Sequence, residues 1–269
     1  MERRWIGAWL AVVAVAAAGC SGSGDGDATA AADARDYVAL GDSYSAGVGA
    51  GNYLDTECYR SRDGGYPQVW AASRPAGTLG KVTDNTCGGA VIHEVRTTQL
   101  RQLDDNTGWV TLTVGGNDAG WSRTLQQCLL GDDSTCRSAT QSAVGAAEAT
   151  LPEQLDGLYA AIKERAPNAK VFVLGYPHLV ASGNAKCESL SAGRREALNQ
   201  GADELDEMIK ARVAAAGFTF VDVRDTFKGH EVCTATPWIH ALRDEMAESF
   251  HPTAEGHKAY ATALTAATG

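Results

Sequence analysis

Residues 36–47 read DYVALGDSYSAG, an apolar run that passes directly into glycine and small polar residues. The apolar part, 36–40, predicts a short buried strand, and the glycine after it predicts a tight turn. In an open parallel sheet, ligands bind beyond the carboxyl ends of the strands, so residues that follow a strand are the first candidates for a functional site. The stretch therefore predicts an α/β domain with Ser43 at a strand end, where a nucleophile or a helix cap is expected.

The rest of the chain alternates strand-like and helix-like segments. Further strands are predicted at 79–83, 109–114, 170–174 and 218–223. Helices are predicted at 66–72, 91–103, 140–166, 191–216 and 253–267. The three later strands are mostly apolar throughout, which is typical of strands buried on both faces of a parallel sheet. The alternation predicts one three-layer α/β/α domain over residues 36–269, with a central five-stranded parallel sheet.

The composition excludes several classes of protein. The 269 residues are 44% hydrophobic and 21% charged, which are globular proportions. The formal net charge of -10 argues against a nucleic-acid partner, because binding phosphates requires a basic surface. The chain contains no CxxC or HExxH spacing, and the glycines at 47–51 lack the lysine of a phosphate-binding loop. We therefore expect no metal and no cofactor.

The N terminus predicts export. Residues 1–20 carry Arg3 and Arg4 ahead of an uninterrupted apolar and small run at 6–19. This run is too short to cross a membrane comfortably and is typical of a signal peptide, with a short membrane anchor as the alternative. Residues 21–35 are small, polar and acidic, which predicts a flexible linker.

The signal peptide ends in AAGCS at 17–21, which resembles a bacterial lipobox. In that motif Cys20 is lipidated and becomes the new N terminus. Ala17 stands where leucine is usual, so ordinary cleavage near this point stays open. We expect an exported protein, either extracellular or held at the cell surface by a lipid on Cys20, with no other contact to the membrane.

The remaining cysteines agree with export. Seven cysteines without Cys20 leave six: Cys58, Cys87, Cys128, Cys136, Cys187 and Cys233. An even number in an exported chain predicts three disulfides, although sequence alone leaves the connectivity open. Cys128–Cys136 encloses only a short polar loop and is the easiest pair to accept.

Candidate catalytic groups follow the predicted strands. A serine needs a base to become a nucleophile, and His251, just before the last predicted helix, is the candidate base. The tetrahedral intermediate of acyl transfer also needs hydrogen-bond donors for its oxyanion. The backbone N–H groups of Ser43 and Gly89 and the side-chain amide of Asn117 are the candidate donors.

Together these segments resemble the SGNH, or GDSL, hydrolase family of esterases and lipases. The first block of the family matches Gly41-Asp42-Ser43, with Ser43 as nucleophile; the others match Gly89, Gly115-Gly116-Asn117-Asp118 and His251-Pro252. The blocks occur in the family's order from about residue 36 to the end of the chain. The resemblance implies a flavodoxin-like α/β/α fold. The rival α/β-hydrolase fold uses GxSxG, and Ser45 stands where its second glycine would be.

The cysteine pattern is most similar to the secreted actinobacterial branch of this family, which includes lipases, phospholipases A and esterases. Disulfides are sequential in that branch. The resemblance therefore implies the pairs Cys58–Cys87, Cys128–Cys136 and Cys187–Cys233.

One position departs from the family pattern. The fifth block usually reads DxxHP, and Glu248 stands where the aspartate is usual. Glutamate is one methylene longer, so the same bond to His251 would need a shifted backbone. Some members of the branch lack the acid and orient their histidine with a backbone carbonyl. Three groups thus stay open as the partner of His251: the Glu248 carboxylate, the carbonyl of Glu248 or Ser249, and a more distant acid such as Asp244.

The resemblance implies an exported serine esterase or lipase that hydrolyses carboxylic esters through an acyl-enzyme on Ser43, with His251 as base. The substrate is a small-molecule or lipid ester, including acyl lipids and phospholipids, and the protein is expected to be a monomer. A carbohydrate O-deacetylase of the same fold is one alternative. A non-catalytic surface lipoprotein that binds a ligand in the same cleft is another.

Overall fold

A computed structural model describes residues 34–183 and 187–269. The predicted signal peptide, Cys20 and nearly all of the predicted linker lie outside the described residues. The first strand begins at Arg35, so the last residue assigned to the linker belongs to the folded domain. Over these two described ranges, no helix is long and apolar enough to cross a membrane.

The centre of the domain is one five-stranded sheet. The strands are β1 Arg35–Gly41, β2 Leu79–Asp84, β3 Thr107–Thr113, β4 Lys170–Leu174 and β5 Thr219–Val221. Their order is β2-β1-β3-β4-β5, and every neighbouring pair is parallel. This confirms the predicted five-stranded parallel sheet. Strand β2 lies on one side of β1, whereas β3, β4 and β5 follow in order on its other side. The strand order therefore reverses at β1, and a crevice is expected at the carboxyl ends of the strands there.

Helices cover the sheet. They are α1 Ser43–Ala46, α2 Tyr66–Ser73, α3 Ile92–Thr98, α4 Trp121–Leu130, α5 Asp133–Arg165, α6 Ala192–Ala216, α7 Arg224–Phe227 and α8 Ala254–Thr268. Short 3₁₀ turns span Gln99–Gln102 and Met246–Glu248. Helix α2 packs against α8, and α5 packs against α3, α4 and α6. These two groups are the outer layers of the confirmed α/β/α fold.

Several boundaries differ from the prediction. The helix predicted at 91–103 ends at Thr98 and continues as a 3₁₀ turn. Helix α5 begins at Asp133 because the Asp132 side chain caps its first turn, accepting from Thr135 N at 2.8 Å. Helix α4 was not predicted, although Trp121, Leu125 and Cys128 have the spacing of one helical face.

Three disulfides join Cys58–Cys87, Cys128–Cys136 and Cys187–Cys233, the pairs that the family resemblance implies. The first connects the loop after α1 to the loop after β2, so it lies beside the reversal point of the sheet. The second holds α4 against α5. Covalent links of this kind stabilise a fold mainly by restricting the unfolded chain.

Gly41 is required where β1 ends. Its φ is +123°, and a Cβ there would collide with the Thr113 backbone oxygen and lie 2.7 Å from Ser45 Oγ. We expect Gly41→Ala to lower the free energy of unfolding by about 3 kcal/mol, because strain and overlap add. Urea denaturation measures this loss.

Gly77 supplies the matched control. Its φ is +81°, but no atom lies within 4 Å of a Cβ built on it. Gly77→Ala should therefore cost only the backbone strain, about 1 kcal/mol. Equal losses in the two variants would show that close packing at Gly41 is unimportant.

Candidate active site

The reversal point of the sheet brings two predicted site segments together. Gly41 pairs with Thr113 across β1 and β3, so the residues that follow the two strands emerge side by side. Ser43 is the first residue of α1, directly after β1. Asn117 lies four residues beyond the end of β3. A pocket at this edge is lined by both residues.

The segment before α8 carries His251 into the same pocket. This segment folds back on itself: His240 N donates to His251 O at 2.9 Å, and Phe250 N donates to His240 O at 3.0 Å. An antiparallel bridge between Ile239 and Pro252 continues the pairing. The backbone of His251 is therefore held on a small two-stranded arm rather than on a free loop.

Ser43 and His251 form a hydrogen-bonded pair. The distance from His251 Nε2 to Ser43 Oγ is 2.7 Å, and that from His251 Nδ1 to Ser249 O is 3.1 Å. A carbonyl oxygen only accepts, so Nδ1 carries the proton and donates to Ser249. Nε2 is then the acceptor for the Ser43 hydroxyl, which is the arrangement of a nucleophile and its base.

Glu248 lies elsewhere. Its Oε1 accepts from the Tyr53 hydroxyl at 2.7 Å, and its Oε2 lies 3.2 Å from Arg243 Nε. Asp244 is exposed and forms no hydrogen bond with His251. Of the three alternatives left open by the sequence, the geometry matches a backbone carbonyl, and it is that of Ser249.

The environment keeps His251 neutral. Burial lowers its pKa to about 4, because the charged imidazolium loses its hydration. The hydrogen bond to Ser249 opposes this shift by favouring the charged form, but it is the weaker influence. At neutral pH the ring is unprotonated at Nε2 and free to accept a proton from Ser43.

The candidate oxyanion donors come from the start of α1, the loop after β2 and the loop after β3. The Ser43 N–H belongs to the first turn of α1, where backbone donors lack intrahelical acceptors. Asn117 Nδ2 donates one hydrogen to Ala90 O at 3.0 Å, which orients the amide and leaves its second hydrogen. The Gly89 N–H has no acceptor among the described residues, and Gly89 has a φ of +80°. Cys87 N donates to Gly41 O at 3.0 Å, which holds the Gly89 segment beside the nucleophile loop.

A buried polar network that the sequence did not reveal lies under the site. Tyr176 donates its hydroxyl to Asp42 Oδ2 at 2.6 Å and accepts from Gly116 N at 3.0 Å. The other Asp42 oxygen accepts from Tyr44 N at 3.0 Å, and burial raises the pKa of Asp42 to about 7. The backbone of Tyr176 is fixed by a hydrogen bond from its N–H to Asp206 Oδ1 at 2.9 Å. Its place directly after β4, another strand end, is the sequence signal that could have found it.

The pocket beside the pair is largely apolar. It encloses about 600 Å³, part of it open to solvent. Its apolar lining comes from α4, α6 and the loop after β4: Trp121, Leu125, Leu179, Ala202 and Leu205. The pocket thus offers a nonpolar space next to the Ser43 hydroxyl. In the described part of the chain, no cluster of three or more His, Cys, Asp or Glu side chains could hold a metal ion.

A serine paired with a neutral histidine, beside candidate oxyanion donors at the edge of a parallel sheet, defines the class of acyl-transferring hydrolases. The chain belongs to the GDSL-like lipase/acylhydrolase family, whose model matches residues 39–259. The protein is therefore a carboxylic ester hydrolase, and the family predicted from the sequence blocks is confirmed.

Relatives agree with this assignment. The chain is 44% identical to Lipase 1 of Streptomyces coelicolor over 84% of this chain and 83% of that protein. The crystal structure of an extracellular lipase from Streptomyces rimosus matches with a TM-score of 0.83 and 43% identity, over 87% of this chain and all of that one. A phospholipase A1 from Streptomyces albidoflavus matches with a TM-score of 0.82 and 37% identity, over 87% and 99% of the two chains.

The position of Glu248 predicts the behaviour of one variant. Because the carboxylate contacts Tyr53 and Arg243 rather than His251, Glu248→Gln should keep kcat within about threefold of the wild type. The comparison variant His251→Asn, which lacks the imidazole that contacts Ser43, should lower kcat by at least about 10³-fold. Steady-state kinetics with a soluble ester measures both. A large fall in kcat for Glu248→Gln would restore the carboxylate as the partner of the histidine.

The lowered pKa of His251 predicts the pH dependence. His251 Nε2 must be unprotonated to accept from Ser43, and the pKa of the ring is about 4. Protonation of the histidine should therefore lower kcat/KM only as the pH falls through about 4. Initial rates across the acid range measure this limb. Asp42, whose pKa is about 7, could also cause a limb near neutrality, so the same profile is measured in Asp42→Asn. A limb near pH 6.5 that persists in this variant would contradict the lowered pKa of His251, because an unperturbed histidine titrates there.

Proposed function

We propose that Ser43 is the nucleophile and His251 the general base of an ester hydrolase. The 2.7 Å contact between Ser43 Oγ and His251 Nε2 is the observation that carries this proposal. As Oγ attacks the carbonyl carbon, its proton passes to Nε2 and the carbonyl electrons move onto the oxygen. The imidazolium then protonates the leaving alcohol, and the acyl group stays on Ser43.

The second half of the reaction reverses these roles. His251 takes a proton from water, the resulting hydroxide attacks the acyl carbon, and Ser43 leaves with the proton returned by His251. In both halves the Ser249 carbonyl accepts from Nδ1–H and stabilises the charged ring without itself titrating. A neutral carbonyl suffices here because its role is to hold the tautomer and orientation of the ring.

The oxyanion of each tetrahedral intermediate is assigned to three donors: the N–H groups of Ser43 and Gly89 and the free hydrogen of Asn117 Nδ2. The contact of Asn117 with Ala90 O supports this role, because it fixes the amide before substrate arrives. Preorganised donors are effective since they need no reorientation during the reaction.

The apolar pocket supports a fatty-acyl ester as substrate. An acetyl group would contact little of this apolar lining, whereas an alkyl chain would bury its surface against Trp121, Leu125 and Leu205. The similarity to Streptomyces lipases and to a phospholipase A1 supports the same substrate class. We therefore assign acyl lipids or phospholipids, and no observation favours the carbohydrate O-deacetylase.

Export completes the proposal. The predicted signal peptide, the three disulfides and the likeness to an extracellular lipase support action outside the cytoplasm. Lipidation of Cys20 and a monomeric state remain predictions from the sequence. A lipid on Cys20 would place the domain beside membrane esters through the linker at 21–35.

Hydrolysis of p-nitrophenyl esters from acetate to palmitate tests the reaction, with the chain lacking residues 1–34. Ser43→Ala should lower kcat/KM by more than about 10³-fold, since the nucleophile is removed. Ser138→Ala, at an exposed serine of α5 outside the pocket, should match the wild type. A chelator should change neither rate.

The chain-length series tests the substrate class in the same assay. A rate optimum beyond acetate is expected from the apolar pocket, and an optimum at acetate would favour the deacetylase. Equal rates in the wild type and Ser43→Ala, or no hydrolysis and no reaction with an active-site phosphonate, would contradict the serine mechanism and favour the ligand-binding lipoprotein.

A further inference from the structure

The turn that carries His251 has an unusual backbone. Phe250 has a φ of +60°, a left-handed conformation that bulky residues rarely adopt. This conformation folds the chain so that the ring of His251 reaches the carbonyl of Ser249, only two residues before it. The turn performs the task that a separate acid performs in a triad. A strained conformation of this kind persists only where surrounding contacts hold it.

Both backbone polar groups of Phe250 form hydrogen bonds. Its N–H donates to His240 O at 3.0 Å, within the arm that precedes α8. Its carbonyl oxygen accepts from the Tyr44 hydroxyl at 2.8 Å, in a buried bond that crosses to the nucleophile helix α1. Tyr44, which follows Ser43 in the sequence, thus forms a hydrogen bond with Phe250, which precedes His251.

Tyr44 is well fixed for this task. Its backbone N–H donates to Asp42 at 3.0 Å, and its ring meets that of Tyr176 edge-on, with centroids 5.1 Å apart. The centroid of the His251 ring lies 5.3 Å from that of Tyr44. Burial raises the pKa of the Tyr44 hydroxyl well above its usual value, so the hydroxyl remains a donor throughout the working range of pH.

We propose that Tyr44 is a positioning residue whose hydroxyl, bonded to Phe250 O, keeps the Ser249–His251 turn in register with Ser43. This inference rests on the proposed serine mechanism. The bond connects the two catalytic segments through their immediate neighbours, so neither can shift without the other. It holds Ser249 O against Nδ1, and thereby holds the tautomer in which Nε2 accepts from Ser43.

The consequence of losing this bond is specific. Without it, the turn can relax towards ordinary backbone angles, and Ser249 O moves away from Nδ1. The ring is then free to carry its proton on Nε2, where it cannot accept from Ser43. The apolar surface of the pocket is unchanged if the ring of residue 44 is kept, so substrate binding should be preserved while the chemical step slows.

Tyr44→Phe tests the proposal, because it removes only the hydroxyl. We expect kcat to fall about tenfold with KM within about twofold of the wild type. The ¹⁵N spectrum of the His251 ring, assigned with His251→Asn, should show one Nδ1–H tautomer in the wild type at neutral pH. The variant should show a mixture of the two neutral tautomers.

Tyr37→Phe is the matched control. The Tyr37 hydroxyl also forms a buried hydrogen bond, to Thr111 Oγ1 at 2.7 Å, but it lies within the sheet away from the pocket. This variant should lose a similar amount of stability in urea and keep the kcat and the histidine spectrum of the wild type.

Two results would overturn the positioning role. One is a kcat for Tyr44→Phe no lower than that for Tyr37→Phe; the other is an unchanged His251 tautomer, even with reduced kcat. Ser43→Ala, measured in parallel, separates this failure from that of the mechanism. An inactive Ser43→Ala beside a fully active Tyr44→Phe overturns only the role of Tyr44, whereas an active Ser43→Ala overturns the serine mechanism itself.

Discussion

The parallel pairing of β1 with β3 is the constraint on which the site depends. It aligns Gly41 with Thr113. The segment that carries Ser43 after β1 and the segment that carries Asn117 after β3 therefore leave the sheet at the same edge. The close approach needs a residue without a side chain at Gly41, because a Cβ would overlap the Thr113 backbone. The arm that carries His251 is bonded to the segment after β1 through the Tyr44 hydroxyl and Phe250 O.

Burial governs the electrostatics of the site. Burial lowers the pKa of His251 to about 4 and raises the pKa values of Asp42 and Asp206 to about 7 and about 8. In each case burial disfavours the charged form of the side chain. A carboxylate beside His251 would favour the imidazolium, whereas the Ser249 carbonyl stabilises it less. The site therefore combines a neutral histidine with a fixed acceptor for the proton on Nδ1. Hydrogen bonds from Tyr44, Tyr176 and Gly116 compensate for the buried polar groups beneath it.

Sequence patterns predicted the sheet and the paired residues for local reasons. The strands are short apolar runs between glycine and polar residues, and Ser43, Asn117 and His251 stand in recognisable blocks next to them. Helix α4 escaped prediction because Gly131 and Asp132, which separate it from α5, are typical of a loop. Tyr176 escaped because its position just beyond the end of β4 is the only signal that the local sequence carries. Its importance comes from Asp42 and Gly116, which are distant in the chain.

By itself, the sequence determined the fold class, because strand-like and helix-like segments alternate along it. It also determined the family and the order of the functional segments, because four short blocks resemble those of the family. Only the tertiary structure decided which group faces His251. Glu248 lies three residues before the histidine, yet its carboxylate contacts Tyr53 and Arg243 instead. Tyr53 belongs to the loop after α1, and Arg243 lies five residues before Glu248 in the chain. The acceptor is instead the Ser249 carbonyl, presented by the left-handed turn at Phe250 and held by Tyr44. Such choices depend on long-range contacts and backbone angles, which local sequence does not encode.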